Sequence, residues 1–127
     1  MLTFQLKAIL ESDDDDKAGD PKIMDTTARW LEQSRESWDE RAEMFDELSR
    51  KNAQSDDRKI ELDFVWTALR LEPGDRVLDA GCGAGHFAIA LAERGCAVEG
   101  IDISPEMIER ARANAIASSA DIAFTIG

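Results

Sequence analysis

The stretch "VLDAGCGAGHFAIALAERG", Val77 to Gly95, limits what this chain can fold into more than any other. An apolar run ends in an aspartate, three glycines alternate through a turn, and a helix of good formers follows as far as Gly95. Glycine at Gly81, Gly83 and Gly85 permits positive φ and removes the Cβ that would hold a ligand off the backbone. In an open parallel sheet such a strand-to-helix turn lies beyond the carboxyl ends of the strands, where ligands bind. Asp102 ends the next apolar run, 21 residues after Gly81. An acid at that distance is placed to accept hydrogen bonds from the 2′ and 3′ hydroxyls of a ribose. The spacing predicts a nucleoside or nucleotide ligand.

Two familiar nucleotide patterns do not fit. A dinucleotide fingerprint reads G-x-G-x-x-G/A, and here its third position falls on His86, which would crowd the close strand–helix contact that pyrophosphate binding needs. A phosphate loop needs G-x-x-x-x-G-K-[ST], and neither that spacing nor its lysine is present. Asp79, just before the turn, opposes a pyrophosphate and favours a ligand that carries positive charge. The plainer readings are that Asp79 caps the helix behind it and that Asp102 is a turn acid before Ser104. His86 reads as a first-turn helix residue rather than a catalytic base.

Around the glycine turn the pattern alternates by type. Arg76 to Asp79 is a strand, His86 to Arg94 a helix and Ala97 to Ile101 a second strand. Ser104 as N-cap and Pro105 in the first turn open a helix to about Ala117, and "DIAFTI", Asp121 to Ile126, alternates like a third strand. Strand, helix, strand, helix, strand implies a parallel Rossmann-like α/β sheet. Upstream, Leu31, Trp38 and Phe45 recur every seven residues in a helix from Asp25 to Leu48, which reads as a packed stripe rather than a ligand lid. A second helix starts near Ser55 or Asp56, carries Ile60, Phe64, Val65, Ala68 and Leu69, and stops at Pro73–Gly74. Residues 1–23 contain the run Asp13 to Asp16 and read as a tag-like or disordered leader, because adjacent like charges stay solvated. A solid aspartate run also lacks the interleaved, glycine-turned form of a cation loop. The expected organisation is a leader at 1–23, a helical segment at 24–72 and a ligand-binding half-domain at 73–127.

Composition narrows the partners. The net charge is −12 over 127 residues, and such a field repels phosphate backbones and anionic headgroups. The expectation is no nucleic-acid and no membrane partner, and a cytoplasmic protein with no secretory signal and no spanning segment. Cys82 and Cys96 have no metal-ligand spacing, so no metal is expected and both read as free, buried thiols.

The stretch "VLDAGCGAGHFAIALAERGCAVEGIDISPEMIERARANA" resembles the first half of a class I S-adenosylmethionine-dependent methyltransferase domain: the D-x-G-x-G-x-G motif, the acid after the second strand, and the D-x-S-x-x-M-[IL]-x-x-A-R helix opening. "WDERAEMFDE" is similar to the aromatic-rich lead-in of many small-molecule members. The resemblance implies S-adenosyl-L-methionine as cofactor, with Asp79 and the backbone of Gly81, Cys82, Gly83 and Gly85 at its methionine end, Asp102 on the ribose and Ile103 against the adenine. It implies a small-molecule methyl acceptor; no catalytic residue stands out. Family members continue for four more strands, so the chain reads as an N-terminal portion whose open sheet edge invites self-association or a partner chain. The rival readings are a non-catalytic interaction module and, less favoured because of His86, an NAD(P)-dependent oxidoreductase.

Overall fold

The computed structural model describes residues 21–127, and the Asp13 to Asp16 run lies outside the described residues. The chain divides into two compact units, Met1–Leu31 and Glu32–Gly127. Within the first, described residues belong to the start of helix α1 (Pro21–Asn52), where Arg29 and Asp25 pair one turn apart at 3.6 Å.

The second unit contains the rest of α1, then α2 (Asp56–Ala68), β1 (Arg76–Ala80), α3 (His86–Glu93), β2 (Ala97–Asp102), α4 (Pro105–Ala117) and β3 (Ala123–Ile126). The three strands are parallel in the order β1-β2-β3, with Val77 opposite Val98 and Gly100 opposite both Asp79 and Phe124. This is the Rossmann-like α/β fold that the alternation predicts.

The helix ends follow local chemistry. α1 extends past the expected Leu48 to Asn52, because Arg50 and Lys51 are good helix formers and sit in the last turn, where cations complement the helix dipole. Ser55 then caps α2 by accepting from the Arg58 amide at 3.2 Å. Ser104 caps α4 in the same way, accepting from the Met107 amide at 3.1 Å, with Pro105 at the first helical position. Gly95, at φ +96°, ends α3 and starts the turn into β2.

The core lies between one face of the sheet and helices α2, α3 and α4. Ala88, Leu91, Ile108 and Ala111 have at most 1% of their surface exposed, and they pack with Val98 and Phe124. Among the described residues no helix covers the opposite face, where Leu78 of β1 is 65% exposed. Where a both-faces-covered parallel strand would be apolar throughout, β1 alternates between half-buried Val77 and Asp79 on the helix side and exposed neighbours on the other.

Gly100 marks the tightest point of the core. A Cβ built there would stand 2.5 Å from the Phe124 ring and 3.0 Å from the Cys82 sulfur. The ring is buried and cannot retreat, so the missing side chain is what lets Phe124 lie across the sheet. Gly100→Ala is expected to lower stability by about 2–3 kcal/mol, read as a fall in the urea midpoint with little change in slope; an unchanged midpoint would show that the ring moves freely.

Candidate functional site

The three alternating glycines do different work. All have positive φ, at +78° for Gly81, +52° for Gly83 and +81° for Gly85. A Cβ on Gly85 would come within 3.0 Å of both the Ala111 Cβ and the Phe124 ring, so this glycine lets the turn pack onto α4. A Cβ on Gly83 would meet only the Met107 sulfur, at 3.8 Å. At Gly81 nothing lies within 4 Å, which leaves that stretch of backbone open to a ligand.

The amides of this turn are already committed within the protein. Gly81 N and Cys82 N both donate to the Ile101 carbonyl, at 2.8 and 3.1 Å, and Gly85 N donates to the Cys82 carbonyl at 3.0 Å. Gly83 N donates to Asp102 Oδ2 at 2.8 Å. These four groups therefore cannot form the inward-pointing amide cradle that a phosphate requires.

The two acids sit in unlike surroundings. Asp102 takes the Gly83 amide on one oxygen and the Ser104 amide, at 2.9 Å, on the other. It is thus a turn acid as well as a candidate ligand contact, and an ionised carboxylate with about four acceptor positions keeps capacity for further donors. Asp79 is different: its Oδ2 is buried with no hydrogen-bond partner. Burial, reinforced by the negative charge of Asp102 and only partly offset by Arg58, pushes its carboxyl up to about 6. A buried acceptor without a donor, beside a second acid, is a place for a cation.

Cys82 contributes only backbone to the turn. Its side chain is buried in the core cluster, and burial, with the charges of Asp79 and Asp102, pushes the thiol up to about 12. That keeps it protonated and unreactive. Cys82 and Cys96 are both free and buried. Ile103 is half-buried, and its carbonyl accepts from Arg35 Nε at 3.3 Å. A cavity of about 340 Å³ lies where the α1–α2 connection and α2 meet α3, and one of about 380 Å³ is lined by that connection, by His86 and Ile89 of α3 and by Asn114 and Ala117 of α4.

Residues that the sequence reading passed over tie α1 to this site. Asp39 Oδ1 accepts from the Ser104 hydroxyl and, at 3.2 Å, from the Glu106 amide. Asp46, only 3% exposed, meets His86 Nε2 at 2.6 Å and Asn114 Nδ2 at 3.0 Å, with Arg50 at 3.1 Å. Burial works to raise the Asp46 carboxyl, but the His86 and Asn114 hydrogen bonds and the Arg50 charge outweigh it and hold the group below its ordinary range. His86 is engaged here as a tie between helices. Ala42, 1% exposed, packs with Ala84 of the turn and Met107 of α4. The face of α1 that meets the site is therefore Arg35, Asp39, Ala42 and Asp46, with Ala42 and Asp46 buried and Arg35 and Asp39 half-buried. Of the expected apolar stripe only Phe45 joins this seam, half-buried against Ala42, Ala84 and Met107, while Trp38, 39% exposed, meets Phe45 edge-on and Leu31 is 42% exposed. The spacing 35, 39, 42, 46 was visible as helical periodicity, but its residues are polar or small.

A profile of the methyltransferase domain matches residues 71–127. These residues fit a class I methyltransferase domain that covers part of the chain. The chain is 42% identical over 69 residues to a 23S rRNA (uracil(1939)-C(5))-methyltransferase of Shewanella denitrificans, covering 50% of this chain and 14% of that protein. It is 39% identical over 67 residues to a ubiquinone biosynthesis O-methyltransferase of Xanthomonas campestris, covering 53% of this chain and 28% of that protein. In three dimensions, a candidate S-adenosyl-L-methionine-dependent methyltransferase from Methanococcus maripaludis superposes with a TM-score of 0.61 at 25% identity, over 70% of this chain and 41% of the other. The chain thus spans well under half the length of each.

The rRNA-modifying relatives overturn one expectation. Net charge had led to the exclusion of nucleic acid as a partner, and that exclusion is withdrawn. A net charge of −12 is a sum over the chain, and it does not report which surface an acceptor would meet.

The raised Asp79 carboxyl has a signed consequence for stability. Between its ordinary value of 3.8 and about 6, the folded chain holds a proton that the unfolded chain has lost, so stability falls as pH rises through this window. Asp79→Asn removes that cost. It is expected to raise the melting temperature at pH 7.5, by the equivalent of roughly 1–3 kcal/mol, and to leave it nearly unchanged at pH 4. Equal shifts at both pH values would refute a charge origin.

Proposed function

We propose that this chain is the cofactor-binding half of an S-adenosylmethionine-dependent methyltransferase, acting on a small-molecule acceptor in the cytoplasm. The observation that carries the cofactor reading is the buried Asp79 oxygen without a donor, one strand from Asp102 and beside a glycine turn whose amides are spent. Such a site suits a nucleoside with a cationic tail and does not suit a pyrophosphate, which also counts against an NAD(P)-dependent oxidoreductase.

In this reading Asp79 receives the cofactor's ammonium, the open backbone at Gly81 and Cys82 lies along its methionine end, and Gly83 and Gly85 shape the turn. Asp102 takes the ribose hydroxyls, and Ile103 lines the adenine. The bound cofactor supplies a methyl group on a sulfonium, an already activated leaving group, so the work left to the protein is alignment and exclusion of water. Asp102 enters that work pre-oriented, since two backbone amides fix its carboxylate before any ligand arrives. The cytoplasmic assignment is supported by two free, buried thiols, and no described helix is long and apolar enough to cross a membrane.

An RNA base is the second reading of the acceptor, favoured by the 42% identity to the rRNA enzyme. The glycine turn and its acids handle the methyl donor, which both kinds of relative share, so the matched segment discriminates little between acceptors.

Calorimetric titration of S-adenosylhomocysteine into the 127-residue chain should give micromolar binding, weakened at least tenfold by Asp102→Ala. No heat from a folded, monodisperse sample would sink the cofactor reading and leave the interaction-module alternative. For the acceptor, labelled methyl transfer from S-adenosylmethionine into a small-molecule extract but not into total RNA is the expected outcome, and the reverse would establish the RNA reading.

A further inference from the structure

A continuous path of hydrogen bonds runs from the middle of α1 to the glycine turn. Asp39 accepts from the Ser104 hydroxyl. The Ser104 amide donates to Asp102 Oδ1 at 2.9 Å, and Asp102 Oδ2 accepts from the Gly83 amide at 2.8 Å. Ser104 has no exposed surface, so its hydroxyl has no water to turn to. That hydroxyl also accepts from the Met107 amide at 3.1 Å, and with both bonds made its rotamer is fixed. Arg35 holds the intervening carbonyl of Ile103 from one helical turn earlier in α1.

We propose that Asp39 is a positioning residue: through Ser104 it fixes the carboxylate of Asp102, and it thereby couples the docking of α1 to ligand binding at the end of β2. The proposal rests on the cofactor reading of Asp102 given above. Nothing requires Asp39 to touch the ligand. Its oxygen closes the hydroxyl bond of Ser104 and accepts the first free amide of α4, Glu106 N, at 3.2 Å. Loss of that oxygen leaves a buried hydroxyl and a helix-terminal amide without a partner. The cheapest relief is a shift of the Ile103–Ser104 backbone, which moves the acid that precedes it. Coupling of this kind is reciprocal, so a ligand on Asp102 must in turn hold α1 more firmly.

The other anchor of α1 provides a contrast. Asp46 binds His86 and Asn114, with Arg50 and Arg110 alongside, and its partners lie on α1, α3 and α4 rather than in the 102–104 turn. If Asp39 acts through Ser104, its loss must weaken ligand binding more than the loss of Asp46 does.

The test is calorimetry with S-adenosylhomocysteine on the parent chain and on Asp39→Ala, Asp39→Asn and Asp46→Ala, each checked for folding by circular dichroism, together with hydrogen exchange of the parent chain. Asp39→Ala is expected to bind about tenfold more weakly, Asp39→Asn, which keeps an acceptor oxygen, to recover most of that loss, and Asp46→Ala to lose less than threefold. Amides around residues 36–43 of α1 should exchange more slowly in the parent chain when the ligand is bound. A parent chain that binds nothing overturns the cofactor reading and the coupling with it. A parent chain that binds, with unchanged affinity in Asp39→Ala, overturns the coupling alone. Equal losses in Asp39→Ala and Asp46→Ala also overturn it, in favour of a general effect of α1 docking. Should the alanine variant fail to fold, unaltered exchange in α1 on ligand binding to the parent is sufficient to reject the proposal.

Discussion

The bond from the Gly83 amide to Asp102, 2.8 Å long, joins the turn after β1 to the end of β2, and the geometry of the site depends on it. Parallel strands do not by themselves bring their following loops together; the ladder ends and each chain leaves toward its own helix. Here the ladder is carried past its last pair. Gly81 and Cys82 donate to Ile101, Gly83 donates to Asp102, and Ser104 returns an amide to the same carboxylate. The result is a pair of strand ends that share one acid. Bonds of this kind from backbone amides to a carboxylate are about twice as strong as neutral ones, and Asp102 receives two of them in a site that it shares with Asp79.

That arrangement leaves the second acid to absorb the electrostatic cost. Asp79 lies on the helix side of β1, opposite Gly100, where there is no amide to spare for its Oδ2. Two carboxylates close together in a partly buried site cannot both ionise freely, and the one without donors keeps its proton to higher pH. A cationic group beside these two acids would relieve that cost. The orphaned Asp79 oxygen and the open backbone at Gly81 are the two features on which the cofactor reading rests.

Much of this was legible in the sequence, and the reasons for the exceptions are physical. The alternation of strand and helix, the start of α2 near Ser55, the cap at Ser104, and Gly95 after α3 are local signals, each set by a few neighbouring residues, and the structure follows them closely. The glycines were legible as a group but not individually: only a Cβ placed in three dimensions separates Gly85, closed by Ala111 and Phe124, from Gly81, open to solvent. Gly100 gave no signal at all, since its tight contact is with a strand that begins more than twenty residues later. The docking of α1 was misread for a different reason. Periodicity searches weigh apolar residues, and they found Leu31, Trp38 and Phe45, of which only Phe45 reaches the seam. The rest of the seam is largely polar, and Asp39 and Asp46 are drawn into it by fixed donors on α4, α3 and the helix's own next turn.

A polar seam has different consequences from an apolar one. Apolar contact is non-directional and tolerates a slip of register, whereas each hydrogen bond here names one partner at one distance. With Ala42 as the only fully buried apolar residue of α1 in this unit, the helix gains little from burial and much from the specific fit of Arg35, Asp39 and Asp46. Specificity of this kind is costly to break singly, because each broken pair leaves a buried group unsatisfied. It also contributes less net stability than a hydrocarbon seam of the same length would. A helix held in this way is fixed in register on the cofactor half yet only modestly held down, and its position responds to anything that alters the donors and acceptors beneath it. The identity of residues at the ends of β1 and β2 thus reaches α1 chiefly through carboxylates whose partners are spread over three helices, beside one small apolar cluster of Ala42, Ala84, Met107 and Phe45.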